Sequence, residues 1–279
     1  MSVPLTAGRE GLVDDVVGVE LTIDGMLVIA DRLQLVDFPT ALGIRPNIPQ
    51  EDLRDLVWDQ VRRDLTAQGV LVAYGQPHPA VTAMVDTLSR ADRTLEGRWW
   101  RRDVGGTMVR FAVCRKDNRH VVVARDGDLL VLQLVAAQVG LGRMVTTVLG
   151  SVQPANVEPM TGVASELAGC TTAAQLLKYG VGAASARSYA EIVNNPSGWA
   201  EITASQRHPG GTTTHTDVAA GVLDSAHGRL VSLPRRVGGE LYGSFLAGTE
   251  ENLQRALDAL LEFLPAGAWL DHAEALARD

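Results

Sequence analysis

The sequence predicts an α+β fold: a wide antiparallel sheet built from two pseudo-repeated four-stranded meanders, with helical bundles on one face and at the ends. Three observations carry this. Apolar residues change from helical spacing to alternation near Leu95, and again near Gly198. Each alternating stretch is cut by residues that accept positive φ. These are Gly105-Gly106, Asp117-Asn118 and Asp126-Gly127 in one stretch, and Pro209-Gly210-Gly211, Ala226-His227-Gly228 and Gly238-Gly239 in the other. Helical patterns precede each stretch and one helix follows it, so the same order occurs twice.

Residues 1–15 read as a flexible arm. Val17, Val19, Leu21 and Ile23 then alternate with Gly18, Glu20, Thr22 and Asp24, the period of a half-buried strand. Asp24 is placed to cap a short helix carrying Met26, Ile29 and Leu33. Pro49 suits the first turn of the next helix, and Glu51 and Asp52 suit its positive end. Leu53, Leu56, Val57, Val61 and Leu65 form the stripe that this helix should bury, and Gly69 ends it. A further helix covers 79–88. Strands follow at 96–104, 107–115, 119–126 and 129–135, then a helix at 137–149.

Residues 151–162, with Pro154 and Pro159, read as a connection. Helical segments at 163–168, 171–178 and 183–193 lead to strands at 198–207, 211–223, 229–234 and 240–246. Thr249 should cap the last helix, whose Leu253, Leu257, Leu260 and Leu264 share one face. With no open linker, the chain reads as a single domain, 1–279, with pseudo-repeat halves at about 16–150 and 151–272.

The 279 residues are 46% hydrophobic and 21% charged, which excludes a disordered chain. Cys114 and Cys170 are too few to staple this length, which suits a reducing compartment. The start lacks a basic segment followed by an apolar run. The longest uncharged stretch, 65–85, is broken by glycines, prolines and glutamines. These features predict a cytoplasmic protein without membrane insertion. The net charge of −8 argues against nucleic-acid binding by the chain as a whole. A basic middle, 90–125, lies between acidic ends, as expected if these segments neutralise one another.

No catalytic, metal or cofactor motif emerges. His208, His215 and Asp217 flank a glycine turn without a further ligand, and the cysteines are not at ligand spacing. There is no G-x-S-x-G elbow, and Ser205 near His208 lacks an orienting acid. The paired glycines are hairpin turns, not phosphate loops. The chain is therefore read as a non-enzyme. The segment Trp99-Trp100-Arg101-Arg102 supplies an alternative, a nucleic-acid-binding regulator that stacks bases on tryptophan. Alternation, however, puts Trp99, Arg101 and Asp103 on one strand face and Arg98, Trp100 and Arg102 on the other, the pattern of arginines lying over aromatic rings.

A shallow sheet surface remains. Trp199, Glu201, Thr203 and Ser205 share one strand face, and the neighbouring strand offers Thr212, Thr214 and Thr216. Small hydroxyls beside one aromatic permit close approach by another protein, although Thr also simply suits strands.

Several long strings resemble the EspG family. They are Val17–Asp31 (VGVELTIDGMLVIAD), Leu42-Gly43-Ile44-Arg45-Pro46, Leu95–Arg102 (LEGRWWRR), Ser205–Gly211 (SQRHPGG) and Leu233-Pro234-Arg235-Arg236. The family comprises cytosolic chaperones of mycobacterial type VII (ESX) secretion, and the strings look closest to the ESX-one branch. The resemblance spans about Asp15 to His272. It implies an α+β fold with a quasi-twofold relation between halves. It also implies binding to the hydrophobic tip of the PPE subunit of a PE–PPE heterodimer, through the central sheet and the C-terminal helical bundle. On that basis Tyr189, in the helix before the second meander, joins Trp199, Glu201, Thr203, Ser205, Thr212, Thr214 and Thr216 as expected partner-binding residues. Contacts with secretion-machinery components and a weak homodimer are further expectations.

Overall fold

Eight α-helices and eleven strands form among residues 17–46, 50–102 and 104–270, which the computed structural model describes. The expected arm, Pro49, Asp103 and His272 lie outside these residues. The chain divides into two compact units, 1–94 with 110–137 and 95–109 with 138–279. Antiparallel sheet dominates both, as the sequence predicts.

In the first unit, strand β1 (Gly18–Thr22) leads directly into helix α1 (Ile23–Leu33). The cap is Thr22, not Asp24. Its hydroxyl oxygen accepts the Gly25 N–H at 3.0 Å, while Asp24 accepts the indole N–H of Trp58 at 3.3 Å. Helices α2 (Glu51–Ala67) and α3 (Pro79–Ser89) follow. Strand β2 (Arg93–Arg101) begins in this unit. β3 (Thr107–Lys116), β4 (Arg119–Asp126) and β5 (Leu129–Val135) complete it, in the order β1-β5-β4-β3. Alternation on these strands turns Leu21, Ala112, Cys114, Val121, Val123, Leu130 and Leu132 inward against Met26, Ile29, Met84 and Val85 of α1 and α3.

The expected stripe of α2 is only partly buried. Leu65 is covered, and Trp58 and Val61 pack against the core. Leu53, Leu56 and Val57 are exposed. Periodicity identifies the helix but does not say which of its apolar rows faces inward.

The second unit holds most of β2, the helices α4 (Leu141–Leu149), α5 (Ala164–Leu167), α6 (Ala173–Leu176), α7 (Ala183–Asn194) and α8 (Glu250–Leu261), and the strands β6 (Met160–Val163), β7 (Gly198–Arg207), β8 (Thr213–His215), β9 (Ala220–Ser225), β10 (Gly228–Val237) and β11 (Glu240–Ala247). The order is β2-β7-β9-β10-β11-β6, with β8 pairing β7. Thr249 caps α8 as expected, accepting the Asn252 N–H at 3.1 Å. Helix α4 starts at Leu141 rather than 137, and the Gln254 side chain of α8 accepts the Gly142 N–H at 2.8 Å. Bare backbone at Gly142 permits this approach, because a Cβ there would lie 2.7 Å from the Glu250 carbonyl oxygen.

Two departures from the sequence reading shape the second unit. The proline-flanked segment read as a connection contains β6, which pairs with β11. The expected strand over 211–223 is broken into β8 and β9. Both pair with β7, β8 at 205–207 and β9 at 198–202. Between them Thr216 locks onto Ala204, donating its N–H to the Ala204 carbonyl and accepting the Ala204 N–H on its hydroxyl. Residues 217–219 therefore bulge from the ladder.

A buried ion pair ties this unit together. Arg229 of β10 grips Asp224 of β9 through two bonds, Nε to Oδ1 at 2.6 Å and Nη2 to Oδ2 at 2.8 Å. The same guanidinium donates to the Leu149 and Gly150 carbonyls at the end of α4. Removing one partner strands a buried charge, which costs about 3–5 kcal/mol, whereas replacing both with apolar groups of similar volume can be near neutral. Asp224→Ala should therefore lower unfolding stability by about that amount in urea titration. Asp224→Leu with Arg229→Met should cost less than the two single changes summed.

Candidate partner-binding site

A groove of about 530 Å³ opens on one face of the second unit's strands. That volume lies in the range of roughly 300–1,000 Å³ typical of ligand pockets. Its floor follows from strand register. Glu201 pairs with Gly221, Gly221 with Ser232, Ser232 with Phe245, and Phe245 with Met160, so these five residues form one row across five strands. Trp199, Leu223 and Leu230 form the next row on the same face. The intervening row, Ala200, Val222, Val231 and Leu246, turns to the opposite face and is buried.

Small residues make the floor concave. A Cβ on Gly221 would lie 2.5 Å from the Ser232 hydroxyl oxygen, so only glycine fits opposite that serine without a shift. Gly243 and Pro234 continue the low relief. One wall is helical: Leu167 and Ala168 at α5, Leu176 of α6 and Val193 of α7. The other is the bulge, through Val218 and Ala219. Leu241, Tyr242 and the partly exposed Trp199 complete the lining. The lining is predominantly apolar. Asp217 at the rim is ion-paired to Arg236 at 2.8 Å, and the Arg236 guanidinium lies over the Phe263 ring.

The structure distributes the expected site residues unevenly. Tyr189, Trp199 and Glu201 all line the groove. Trp199 is 40% exposed, with its ring 5.7 Å from that of Trp100, and Glu201 is exposed. Tyr189 sits beneath the surface at 1% exposure. Its hydroxyl serves two carbonyl oxygens, of Glu158 at 2.8 Å and Phe245 at 3.0 Å. Burial, reinforced by Glu158, pushes its pKa well above that of an ordinary phenol. Thr203 is exposed on β7, outside the groove lining, while Ser205 is buried at 8%. Thr212, Thr214 and Thr216 belong to the β7–β8 hairpin. Thr214 bonds the His208 ring at 2.8 Å, and Thr216 holds the bulge. Sequence reasoning missed Met160, Leu167, Val218, Leu241 and Phe245, which meet only through pairings and helix packing remote in sequence.

The chemistry-bearing residues singled out in the sequence have structural partners. Arg101 lies over the Trp99 ring at 4.7 Å, covering a ring face on which a base would stack. Cys114 and Cys170 are both buried and unbridged. Among the described residues, no group of three or more His, Cys, Asp or Glu could hold a metal ion, and no helix is long and apolar enough to cross a membrane.

The chain is thus an antiparallel α+β protein with an apolar groove on one sheet face. The chain belongs to the EspG family, whose model matches residues 22–259. It is 76% identical to the ESX-1 secretion-associated protein EspG1 of Mycobacterium marinum over 278 residues, covering 100% of both chains. It is 75% identical to EspG1 of Mycobacterium tuberculosis over 272 residues, covering 98% of this chain and 96% of the relative. These similarities place it in the ESX-1 branch. Among solved structures, the Mycobacterium tuberculosis type VII secretion chaperone EspG5, in complex with the PE25-PPE41 dimer, matches with a TM-score of 0.73 at 15% identity. That match covers 91% of this chain and 99% of the other, and it supports the shared fold.

Tyr189→Phe removes the donor to two buried carbonyls and should cost about 1–3 kcal/mol in urea unfolding. The native tyrosine also gives a signed pH dependence. Above roughly pH 10 the unfolded chain loses the phenolic proton while the folded chain keeps it, so stability should fall with rising pH by up to about 1.4 kcal/mol per unit. Comparing the stability–pH profiles of the native chain and Tyr189→Phe above pH 10 checks this, since the variant should lack that contribution.

Proposed function

We propose that this chain is a substrate-specific secretion chaperone. Its groove covers the hydrophobic tip of the PPE subunit of a cognate PE–PPE heterodimer, keeps the dimer soluble in the cytoplasm and directs it to the ESX-1 system. The observation that carries this reading is the apolar groove with the exposed Trp199 in its lining, on a member of the EspG family. The EspG5 relative solved with a PE–PPE dimer supports it. No chemical step is required. An exposed apolar tip promotes aggregation, and covering it removes that hazard. A specific interface of roughly 1,200–2,000 Å² would extend beyond the groove, across the exposed β7 face with Glu201 and Thr203. In this reading the chain works as one chaperone domain, with halves at about 16–150 and 151–272 as related parts.

Discrimination among PPE partners follows from shape. The floor row and the bulge set the depth available to an incoming side chain, and a tip too large for Gly221 and Ser232 leaves the rim unpaired. Co-expression with PE–PPE pairs from the same genome, followed by pull-down and size-exclusion chromatography, tests the function. A soluble ternary complex with one pair and not its paralogues supports it, and no complex with any pair overturns it. Ala219→Arg puts an unpaired charge at the exposed wall of the groove. It should weaken the complex at least about tenfold by calorimetry while leaving the unfolding midpoint nearly unchanged.

A further inference from the structure

The first unit carries a like-charge pair. Arg110 of β3 stands directly opposite Arg125 of β4. The row continues through Leu130 to Leu21, both buried, so the two arginines lie on the helix-covered face of the sheet. Both are half-buried, so an ion from solvent can reach them. Their tips converge on one corner of the chain. A Cβ on Gly43, whose φ is +58°, would stand 2.7 Å from Nη1 of Arg110 and 3.1 Å from Nη1 of Arg125. Bare backbone at Gly43 is what lets both guanidinium groups approach there. Arg125 donates Nε to the Gly127 carbonyl at 2.8 Å, and Nη1 to the carbonyls of Leu42 and Gly43 at 2.5 and 2.7 Å. Among the described residues, its Nη2 and the Arg110 guanidinium have no hydrogen-bond partner, and neither arginine makes an ion pair.

Like charges directly opposite on neighbouring strands repel, and partial burial strengthens the repulsion. Arg125 registers it: burial, then the Arg110 charge, hold its pKa below the ordinary arginine value, and Asp128 opposes them less strongly. A structural role explains Arg125, which ties the 42–43 corner to the turn between β4 and β5. It does not explain Arg110, because a neutral side chain there would avoid the repulsion. A bound anion accounts for both. A carboxylate is satisfied by the fork of one arginine, whereas a phosphoryl group has enough oxygens and charge for two. We infer that Arg110 and Arg125, converging beside Gly43, form a binding site for a phosphoryl dianion, either free phosphate or a phosphate monoester. Nη2 of Arg125 and the guanidinium of Arg110 donate to its oxygens. All three residues belong to the first unit, and none lines the groove.

Calorimetric titration of the full chain with inorganic phosphate, at about pH 8 and against sodium chloride of equal ionic strength, tests this. The expected result is saturable binding. Arg110→Gln should weaken it at least about tenfold. Arg110→Lys keeps the charge without the fork and should fall between the two. Phosphate also stabilises folded proteins by exclusion from their surface, so thermal unfolding is compared between chains. The native chain should gain more from phosphate than Arg110→Gln does. In chloride alone, Arg110→Gln should unfold no lower than the native chain, because it loses a repulsion. Phenyl phosphate separates the two sources: tighter binding than inorganic phosphate assigns the site to a monoester, and equal or weaker binding assigns it to the free ion. No saturable binding of either probe, binding indifferent to Arg110→Gln, or a variant that unfolds well below the native chain in chloride would overturn the inference.

Discussion

The second unit is organised around one buried charge. Arg229 is 3% exposed, and placing a guanidinium there is tolerable only because its donors are engaged. Asp224 takes two bonds, the end of α4 takes two more, and the arginine's own carbonyl accepts the N–H groups of Ala155 and Gly248. One residue thus ties these parts together: its side chain joins β9 and β10 to the end of α4, and its backbone carbonyl holds the path into the β6 segment and the turn before α8. Gly248 belongs to the same constraint, since a Cβ there would collide with Arg229. Burying this pair gains less from attraction than from geometry: it specifies which strands and helix ends meet.

The groove is a consequence of that geometry. Once β9 and β10 are held in register, Gly221 must face Ser232, and the floor is set. β6 adds Met160 to the same row from the far edge. α7 covers the adjacent part of the face, where Tyr189 and Ile192 pack with Leu230 and Leu223. Tyr189 then acts at one remove: its hydroxyl joins the carbonyl before β6 to a carbonyl within β11, clamping the edge of the sheet under the groove. Its place in the groove is that of a support, while Trp199 and Glu201 reach solvent.

Much of the fold was legible because it rests on local chemistry. Turn glycines and Asp117, whose φ is +53°, mark hairpins whose positions follow from backbone conformation alone. Thr249 followed by two glutamates marks a helix start for the same reason. What stayed hidden depends on pairing across long sequence distances. β6 has only four residues and lies after prolines, so its strand character comes from β11, about eighty residues later. The break between β8 and β9 was invisible because Thr216 and its neighbours read as strand. The bulge exists because β7 accepts two partners along one edge. At the site, alternation correctly put Trp199 and Glu201 on one face. The three threonines were drawn away by the hairpin in which they are bound.

The proposed function asks for selectivity on a scaffold shared at 15% identity with EspG5. The sheet and its pinning residues set where the groove lies. The bulge at 217–219, the small floor residues and the helix α5–α7 wall set its shape. The bulge and the helical wall stand outside the strand ladder, so substitutions there alter the groove's shape while the paired floor stays fixed. The ion pair at Arg229 lies below them and is insulated from such changes. A fold built this way holds its frame by buried polar geometry and leaves the shape of a thin apolar surface above it free to vary.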